Sequence, residues 1–213
     1  MKKRAAEALA VLALLTVLFA AVTLIAQKAE ETTVKIDGDY YNTGISELTL
    51  NLMTEDGLEN LSALPRLTSL KITPFKEAAA NAAAGGDPAA RAIVLSEYPD
   101  CTDLSDLTAI SGLTGLEKLD ISYCHVKDLN FISQMQQLVS LNIGCTDITD
   151  LSSLTAFPRL ERLIIYGTPA EDISPLMEMN SLKTLILSKE TEEKFPDIIT
   201  GLKEKGVEVE ARE

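Results

Sequence analysis

The sequence contains no tryptophan, and aromatic residues make up only 5% of it. Its core must therefore be built from Leu, Ile, Val and Ala, which suits the thin stacked coils of a solenoid. Hydrophobic residues still account for 46% of the 213 residues, which excludes a disordered chain. This is enough apolar material for one or two domains with a sizeable core.

Histidine and cysteine are also scarce, with one His and three Cys in the chain. Cys101, Cys124 and Cys145 show no C-x-x-C spacing, which argues against zinc and redox motifs. Cys124 is followed directly by His125, but neighbours on an extended segment point to opposite sides, so a nucleophile and base pair is not expected. The sequence therefore predicts a protein that is not an enzyme and has no cofactor or metal.

Positive charge is scarce beyond the N-terminus. The net charge is −13, and the first 28 residues contribute +3 to it, which leaves −16 for residues 29–213. Such a surface repels nucleic acid and anionic membranes, so nucleic acid is not an expected partner. A solvated face that keeps the protein soluble accounts for the charge without any specific partner.

The N-terminal segment is basic and then apolar. Lys2 to Arg4 precede Ala8 to Ala26, nineteen consecutive residues without a charge. As a helix these residues would span roughly 28 Å, close to the hydrocarbon thickness of a bilayer. The basic cluster predicts a cytoplasmic N-terminus, with Gln27 onward outside the cell membrane. The segment lacks a small residue at Leu24, which favours an uncleaved anchor; cleavage as a signal peptide and secretion stay the alternative.

A 22-residue repeat occupies the C-terminal half of the chain. Its units begin at Leu116, Leu138, Leu160 and Leu182, and we number the places of each unit from that residue. Apolar residues at places 4 and 6 alternate as in a strand with one buried face, and a later spacing of three predicts a 3₁₀-like return. A coil this thin cannot cover its own apolar side chains. Neighbouring coils should therefore stack as a parallel sheet.

Two earlier units begin at Ile45 and Leu67, after which the register breaks. Leu67 and Leu116 are 49 residues apart, which is two units and five residues, and we expect residues 93–95 (Ile-Val-Leu) to form a strand between them. An Ala-rich stretch ended by Gly-Gly-Asp-Pro predicts an inserted helix and turn near residues 76–91. About seven coils are therefore expected.

Both ends of the repeat array have the pattern of caps. The Asp37-Gly38 turn signal predicts a hairpin over residues 33–42. A closing helix from Pro196 to Lys205, followed by a short strand at 207–209, is expected at the other end. The predicted organisation is a signal-anchor or signal peptide at 1–28, an N-terminal cap at 29–44, repeats at 45–188 and a C-terminal cap at 189–213.

Aspartate recurs at place 13 of four units, at Asp106, Asp128, Asp150 and Asp172. A calcium ladder is one interpretation, since hard cations take clustered carboxylates. Four identical positions directly before an apolar residue fit better with carboxylates that cap the return segments by accepting backbone N–H groups. Cys101 and Cys145 both fall at place 8, two coils and roughly 10 Å apart, which is beyond disulfide reach.

These units resemble the 22-residue leucine-rich repeats of internalin-like bacterial surface proteins over residues 34–213. The resemblance is carried by the L-x-x-L-x-L strands and by the returns Asp106–Ile110, Asp150–Leu154 and Asp172–Leu176. It implies an α/β solenoid that is curved, has short helical or 3₁₀ returns and acts by binding. Place 9 is usually Asn in the family and forms a ladder of side chains along the coils. Here it holds Thr or Cys, which implies a shorter ladder; the residues are Thr102, Cys124, Thr146 and Thr168.

Binding surfaces of this architecture lie on the concave sheet, at outward strand places 2, 3, 5 and 7. Early coils show polar residues at these places, whereas later coils show apolar and aromatic ones. The candidate binding patch is Val94, Tyr123, Ile164, Tyr166 and Ile186. We therefore expect an exported or membrane-anchored cell-envelope module that binds a protein or glycan. The alternative is a passive structural scaffold or a subunit of an envelope complex.

Overall fold

The computed structural model describes residues 33–52, 55–74 and 104–212. The predicted membrane segment, the insertion near 76–91 and the strand expected at 93–95 lie outside these ranges, as do Val94, Cys101 and Thr102. None of the helices in the described ranges has the length and apolar character needed to span a bilayer.

Seven parallel strands form one sheet in which each strand pairs with the next in chain order. Every pairing joins equivalent places of neighbouring units, such as Leu119 with Leu141 and Leu141 with Leu163. The expected leucine-rich-repeat solenoid of class α/β is therefore confirmed. The strands are β3 (Glu47–Leu52), β4 (Ser69–Pro74), β5 (Lys118–Asp120), β6 (Ser140–Asn142), β7 (Arg162–Ile164), β8 (Thr184–Ser188) and β9 (Glu208–Arg212), after a separate hairpin of β1 (Thr33–Ile36) and β2 (Asp39–Asn42).

The strand expected between the second and third of these units is not there. Leu70 of β4 pairs directly with Leu119 of β5, so no strand lies between β4 and β5 in the sheet; residues 93–95, where that strand was expected, lie outside the described ranges. The 49 residues from Leu67 to Leu116 are one repeat with 27 extra residues. The sheet still has seven strands because β9, from the C-terminal cap, is the seventh.

Glu55 binds the backbone at Ser105 and Asp106, where the described chain resumes after this break. Its Oε1 accepts hydrogen bonds from the backbone N–H groups of Asp106, at 2.8 Å, and Ser105, at 2.9 Å. The Ser105 hydroxyl also donates to Oε1, at 3.2 Å. These bonds, first that from the Asp106 backbone, lower the pKa of Glu55. One side chain of the first coil therefore fixes the start of the next return segment, fifty residues along the chain.

The core is the row of apolar side chains inside the coils. Leu141 in β6 and Ile143 directly after it, at places 4 and 6 of the unit, are 0% exposed, as are Leu138 before the strand and Ile148 after it. The same places are buried in the neighbouring units, because strand alternation sends every second side chain inward. The return segments are 3₁₀ turns at Glu55–Leu58, Leu61–Ala63, Thr108–Ile110, Asn130–Ile132, Ser152–Ala156 and Ser174–Glu178.

The place-13 aspartates cap these returns. Asp150 Oδ1 accepts from the backbone N–H of Ser152 at 2.8 Å, and the same bond recurs between Asp172 and Ser174. Equivalent bonds of 2.9 Å are made by the aspartates of the two preceding units, Asp106 and Asp128. Each carboxylate satisfies a donor that the first turn leaves without an intrahelical partner. The capping interpretation of this column is confirmed.

Acid should weaken the solenoid through these caps. Hydrogen bonds from Ser152, first from its backbone and then from its hydroxyl, lower the pKa of Asp150. The side chain and then the backbone of Thr108 and Ser174 do the same for Asp106 and Asp172. The folded state therefore binds fewer protons than the unfolded state. The stability that these caps contribute should be fully present above the ordinary aspartate pKa of about 4. It should be lost as the pH falls through the lowered pKa values of the folded state.

An asparagine variant separates the hydrogen bond from the titration. Asp150→Asn retains an oxygen that can accept from Ser152 but no longer gains a proton. We expect the urea midpoint of this variant to fall less steeply between about pH 5 and pH 2 than that of the original chain. Parallel curves for the two proteins would show that this cap does not contribute to the acid sensitivity.

Both ends of the stack are covered. At the N-terminal end the β1–β2 hairpin turns at Asp37 and Gly38 and buries Ile36, which is 1% exposed. At the other end α1 (Lys189–Lys194) and α2 (Pro196–Glu204) close the last coil, and Ser188 caps α1 by accepting from the Thr191 N–H at 3.2 Å. Strand β9 then returns to pair with β8.

Candidate partner-binding face

Three of the five residues of the candidate patch lie together on the concave face. Tyr123, Ile164 and Tyr166 are half-buried and line one depression of about 150 Å³. The remaining lining residues come from the same coils and from β9; they are Ser122, Asn142, Gly144, Cys145 and Arg212. The depression therefore collects side chains from three successive units and from the C-terminal cap.

The backbone that carries these side chains turns sharply after each strand. Place 8 has a left-handed conformation in three successive units, with φ of 66° at Tyr123, 55° at Cys145 and 69° at Gly167. The Tyr123 N–H donates to Gly144 O at 2.9 Å, and the Cys145 N–H donates to Tyr166 O at 2.7 Å. The coils thus remain hydrogen-bonded to one another beyond the short strands, which holds the lining side chains at the spacing of the sheet.

Glycine at two places lets the turns of neighbouring coils pack closely beside the depression. A Cβ atom at Gly167 would lie 2.8 Å from Cys145 Sγ, and one at Gly144 would lie 3.0 Å from the backbone oxygen of Tyr166. Gly167 also has a positive φ, which favours glycine over residues with a side chain. The Cys145 thiol therefore rests in the space that a side chain at place 8 of the next unit would take.

Ile186 is not part of the exposed patch. It stands at place 5 of β8, as the alternation predicts, but it is 0% exposed. On this face it lies between Ile164 of β7 and Glu210 of β9. Because β9 adds a strand beyond β8, Ile186 is an interior position of the sheet instead of an edge position. The expectation that Ile186 is available to a partner is therefore wrong.

Strand β9 contributes a residue to the depression that was not among the predicted site residues. Arg212 lines the depression, and its Nε donates to Glu210 Oε1 at 2.8 Å. This bond, followed by the charges of Arg212 and Arg162, lowers the pKa of the Glu210 carboxyl. The position of Arg212 follows from the pairing of β9 with β8, which no repeat pattern signals.

Val94, the fifth residue of the patch, lies outside the described ranges. Its predicted position was the strand between β4 and β5, and those two strands pair with each other directly. The face that a partner would meet is consequently centred on β5, β6 and β7 and includes Tyr123, Ile164 and Tyr166.

The cysteine and histidine at places 9 and 10 do not face each other. Cys124 is 0% exposed, its Sγ lies 4.0 Å from Ile72 O, and burial raises the pKa of this thiol to about 12. His125 is exposed, and its Nδ1 lies 3.0 Å from Asp147 Oδ2 of the next unit. A buried thiol with a raised pKa is a poor nucleophile, so Cys124 has a structural role.

The ladder at place 9 is made by threonines in the later units. The hydroxyls of Thr146 and Thr168 both donate to the backbone oxygen of Ile143, each at 2.7 Å. Thr146 belongs to the same coil as Ile143 and Thr168 to the next one, so the Thr168 bond ties the two coils together. This is the shortened ladder that the departure from Asn predicts.

Larger depressions lie on the return side of the solenoid. One of about 360 Å³ is lined by the returns that follow Asp106 and Asp128. Another lies at the equivalent position between Asp150 and Asp172. Because the groove recurs where return segments stack, it is a consequence of the repeat and not a specific site. In the described part of the chain, no cluster of His, Cys, Asp or Glu side chains is arranged to hold a metal ion.

No protein-family profile and no curated protein matches the sequence. Among solved structures the chain is similar to an internalin (inlF) from Listeria monocytogenes, with 17% identity and a TM-score of 0.48 over 81% of this chain and 50% of that protein. It is also similar to an internalin C2 (inlC2) of the same species, with 20% identity and a TM-score of 0.47 over 81% of this chain and 74% of that protein. The chain spans about half the length of the first of these, and the likeness is one of fold.

Proposed function

We propose that this chain is a protein-binding module whose concave face seats a side chain of its partner in the depression formed by Tyr123, Ile164, Tyr166 and Arg212. The observation that carries the proposal is the convergence of these four residues from separate strands and turns onto one depression. Aromatic and arginine side chains are the residues in which binding energy concentrates at protein interfaces.

The size of the depression favours a protein over a small molecule. Sites for small ligands usually enclose about 300–1,000 Å³. The concave depression holds about 150 Å³, which accommodates a single side chain. A partner that inserts one residue there would use the surrounding polar side chains of the sheet as the rim of the interface.

We also propose that the module acts outside the cell, held by its N-terminal segment. The proposal is supported by the basic run from Lys2 to Arg4 and by the uncharged stretch from Ala8 to Ala26. A single apolar helix after a basic cluster leaves the following domain outside. The partner would then be another envelope protein or a protein from the surroundings.

Tyr166→Ala tests the binding face. We expect partner capture to weaken by about thirtyfold, because truncation of a central aromatic anchor commonly costs about 2 kcal/mol. The melting temperature should change little, since Tyr166 is only half-buried. Capture can be measured on intact cells with a photo-crosslinking residue in place of Ser140, which lies on the same face.

Tyr40→Ala is the matched control, because Tyr40 is 73% exposed and lies on β2, away from the concave sheet. It removes the same atoms and should leave capture unchanged. If Tyr166→Ala captures as well as the original chain does, the concave depression is ordinary surface. In that case the alternative of a passive structural scaffold is favoured.

A further inference from the structure

The concave face differs in charge from the rest of the chain. Places 3, 5 and 7 of the seven strands hold equal numbers of basic and acidic side chains. The basic ones are Lys71, Lys118, Arg162 and Arg212, and the acidic ones are Glu47, Asp120, Glu208 and Glu210. These places therefore carry no net charge. Place 2, which also points outward, adds the exposed carboxylate of Glu117 and the ion pair of Glu161 with Lys183. The face is thus nearly neutral in a chain whose net charge is −13, so most of the negative charge lies elsewhere.

Ion pairs and position make the middle of the face positive. Lys71 Nζ lies 3.4 Å from Asp120 Oδ2, and Arg212 is paired with Glu210. The other two carboxylates, on Glu47 and Glu208, belong to the first and last strands of the sheet. What remains in the centre is the positive charge of Lys118 and Arg162, which exceeds the negative charge of Glu117 next to Lys118.

Two exposed cations supply that charge. Lys118 on β5 and Arg162 on β7 stand at place 3 on either side of Ser140. Within the described ranges neither of them forms an ion pair. They are separated by two strand spacings, about 10 Å. The strip of surface over β6 between them is called the lane below.

The depression lies at the far end of the same lane. From Ser140 at place 3 to Gly144 at place 7 is four residues, which is about 13 Å along a strand. An extended segment lying along β6 would pass between Lys118 and Arg162 and reach the depression about four residues later. Cations at one end and, at the other, a depression that includes Tyr123, Ile164 and Tyr166 define the chemistry that such a segment must have.

We propose that the concave face recognises an extended acidic protein segment, with carboxylates between Lys118 and Arg162 and a bulky apolar residue about four positions away in the depression. The inference rests on the proposed protein-binding function and adds the class of partner to it. Attraction between opposite charges steers such a segment to the face, and the acidic surface elsewhere repels it. Specificity then comes from both an attractive and a repulsive element.

A polypeptide fits this face better than other polyanions do. Nucleic acid binding depends on many phosphate contacts to basic residues, whereas in the described strands of this face only Lys118 and Arg162 are cations outside ion pairs, in a strongly acidic chain. An anionic polysaccharide would match Lys118 and Arg162 but has no apolar side chain for the depression between Tyr123 and Tyr166. The depression and the cations together favour a protein segment.

Selection from a random peptide library tests the partner class. The probe is a displayed library of random peptides, selected against the full-length chain in a neutral detergent. We expect the enriched peptides to carry net negative charge and a bulky apolar residue about four positions from an acidic one. Their affinity should fall about tenfold or more in Lys118→Glu/Arg162→Glu and should decrease with rising ionic strength.

Lys127→Glu/Arg66→Glu is the matched control. It makes the same change in net charge at two exposed residues outside the concave strand places, and it should leave the affinity within about twofold. Folding of each variant is checked by its melting temperature. Equal losses in the two double variants would mean that only overall charge matters, which overturns the inference.

The remaining outcomes separate this inference from the proposed function. Enriched peptides that need Tyr166 but are neutral or basic, or that ignore the change at Lys118 and Arg162, overturn the acidic partner and leave the protein-binding face standing. Peptides that bind Tyr166→Ala as tightly as the original chain contradict both. Failure of the library to enrich over the charge-reversed variant also overturns the acidic partner. So does binding of alginate, a polyuronate, that depends on the two cations but not on Tyr166.

Discussion

Leu141→Ala should lower the free energy of unfolding by about 2–5 kcal/mol, the range for a large-to-small change in a packed core. Leu141 is 0% exposed and lies at place 4 of β6, between Leu119 of β5 and Leu163 of β7. Removing its side chain opens a cavity in the middle of the leucine row. The coils on both sides are tied to this one by backbone hydrogen bonds, so the cavity can close only partly.

Ser140→Ala is the control, one residue earlier on the opposite face of the strand. It should change stability by no more than about 0.5 kcal/mol. Chemical denaturation of both variants, with the midpoint and slope fitted together, measures the difference. Equal losses at Leu141 and Ser140 would contradict the inward and outward assignment of every strand in the sheet, because a slip of one residue exchanges the two faces.

Ile186→Ala should cost a similar amount, about 2–5 kcal/mol, although this residue stands on the concave face. The reason is its 0% exposure between Ile164 and Glu210. An exposed isoleucine in the middle of a binding patch would cost far less to remove. The variant therefore measures whether β9 converts this part of the face into a second, small core.

Ile164→Ala is the matched control for that experiment. Ile164 occupies the same place one strand earlier and is only half-buried, so its loss should destabilise the chain clearly less. Both variants are compared by urea denaturation at one pH. If the free energy of unfolding falls no more in Ile186→Ala than in Ile164→Ala, Ile186 belongs to the exposed patch and β9 does not cover it.

The repeat pattern predicted most of the solenoid because it is local and recurs in every unit. Each unit repeats the same apolar places, so the strand and the 3₁₀ return of one coil are supported by all the others. The aspartate caps were predictable for the same reason, since Asp150 bonds to Ser152 only two residues later. Interactions of this range are visible in the sequence without knowledge of the fold.

The direct pairing of β4 with β5 was not predicted, because local patterns do not report which strands are neighbours. An apolar triplet at 93–95 suits a strand, and 49 residues are close to two units. The pairing of Leu70 with Leu119 decides otherwise. The bonds from Ser105 and Asp106 to Glu55 show how the chain returns to register across the extra residues. No spacing rule connects residues fifty positions apart.

Sequence alone determined the inward and outward sets of side chains, and hence that Tyr123, Ile164 and Tyr166 would stand near one another on the concave face. Only the tertiary structure decided which of the outward residues a partner can reach. Strand alternation fixes the direction of a side chain, whereas exposure depends on what packs beside it. Here β9 pairs with β8, buries Ile186 and brings Arg212 to the depression, because an open sheet edge is satisfied by whichever segment can supply its hydrogen bonds.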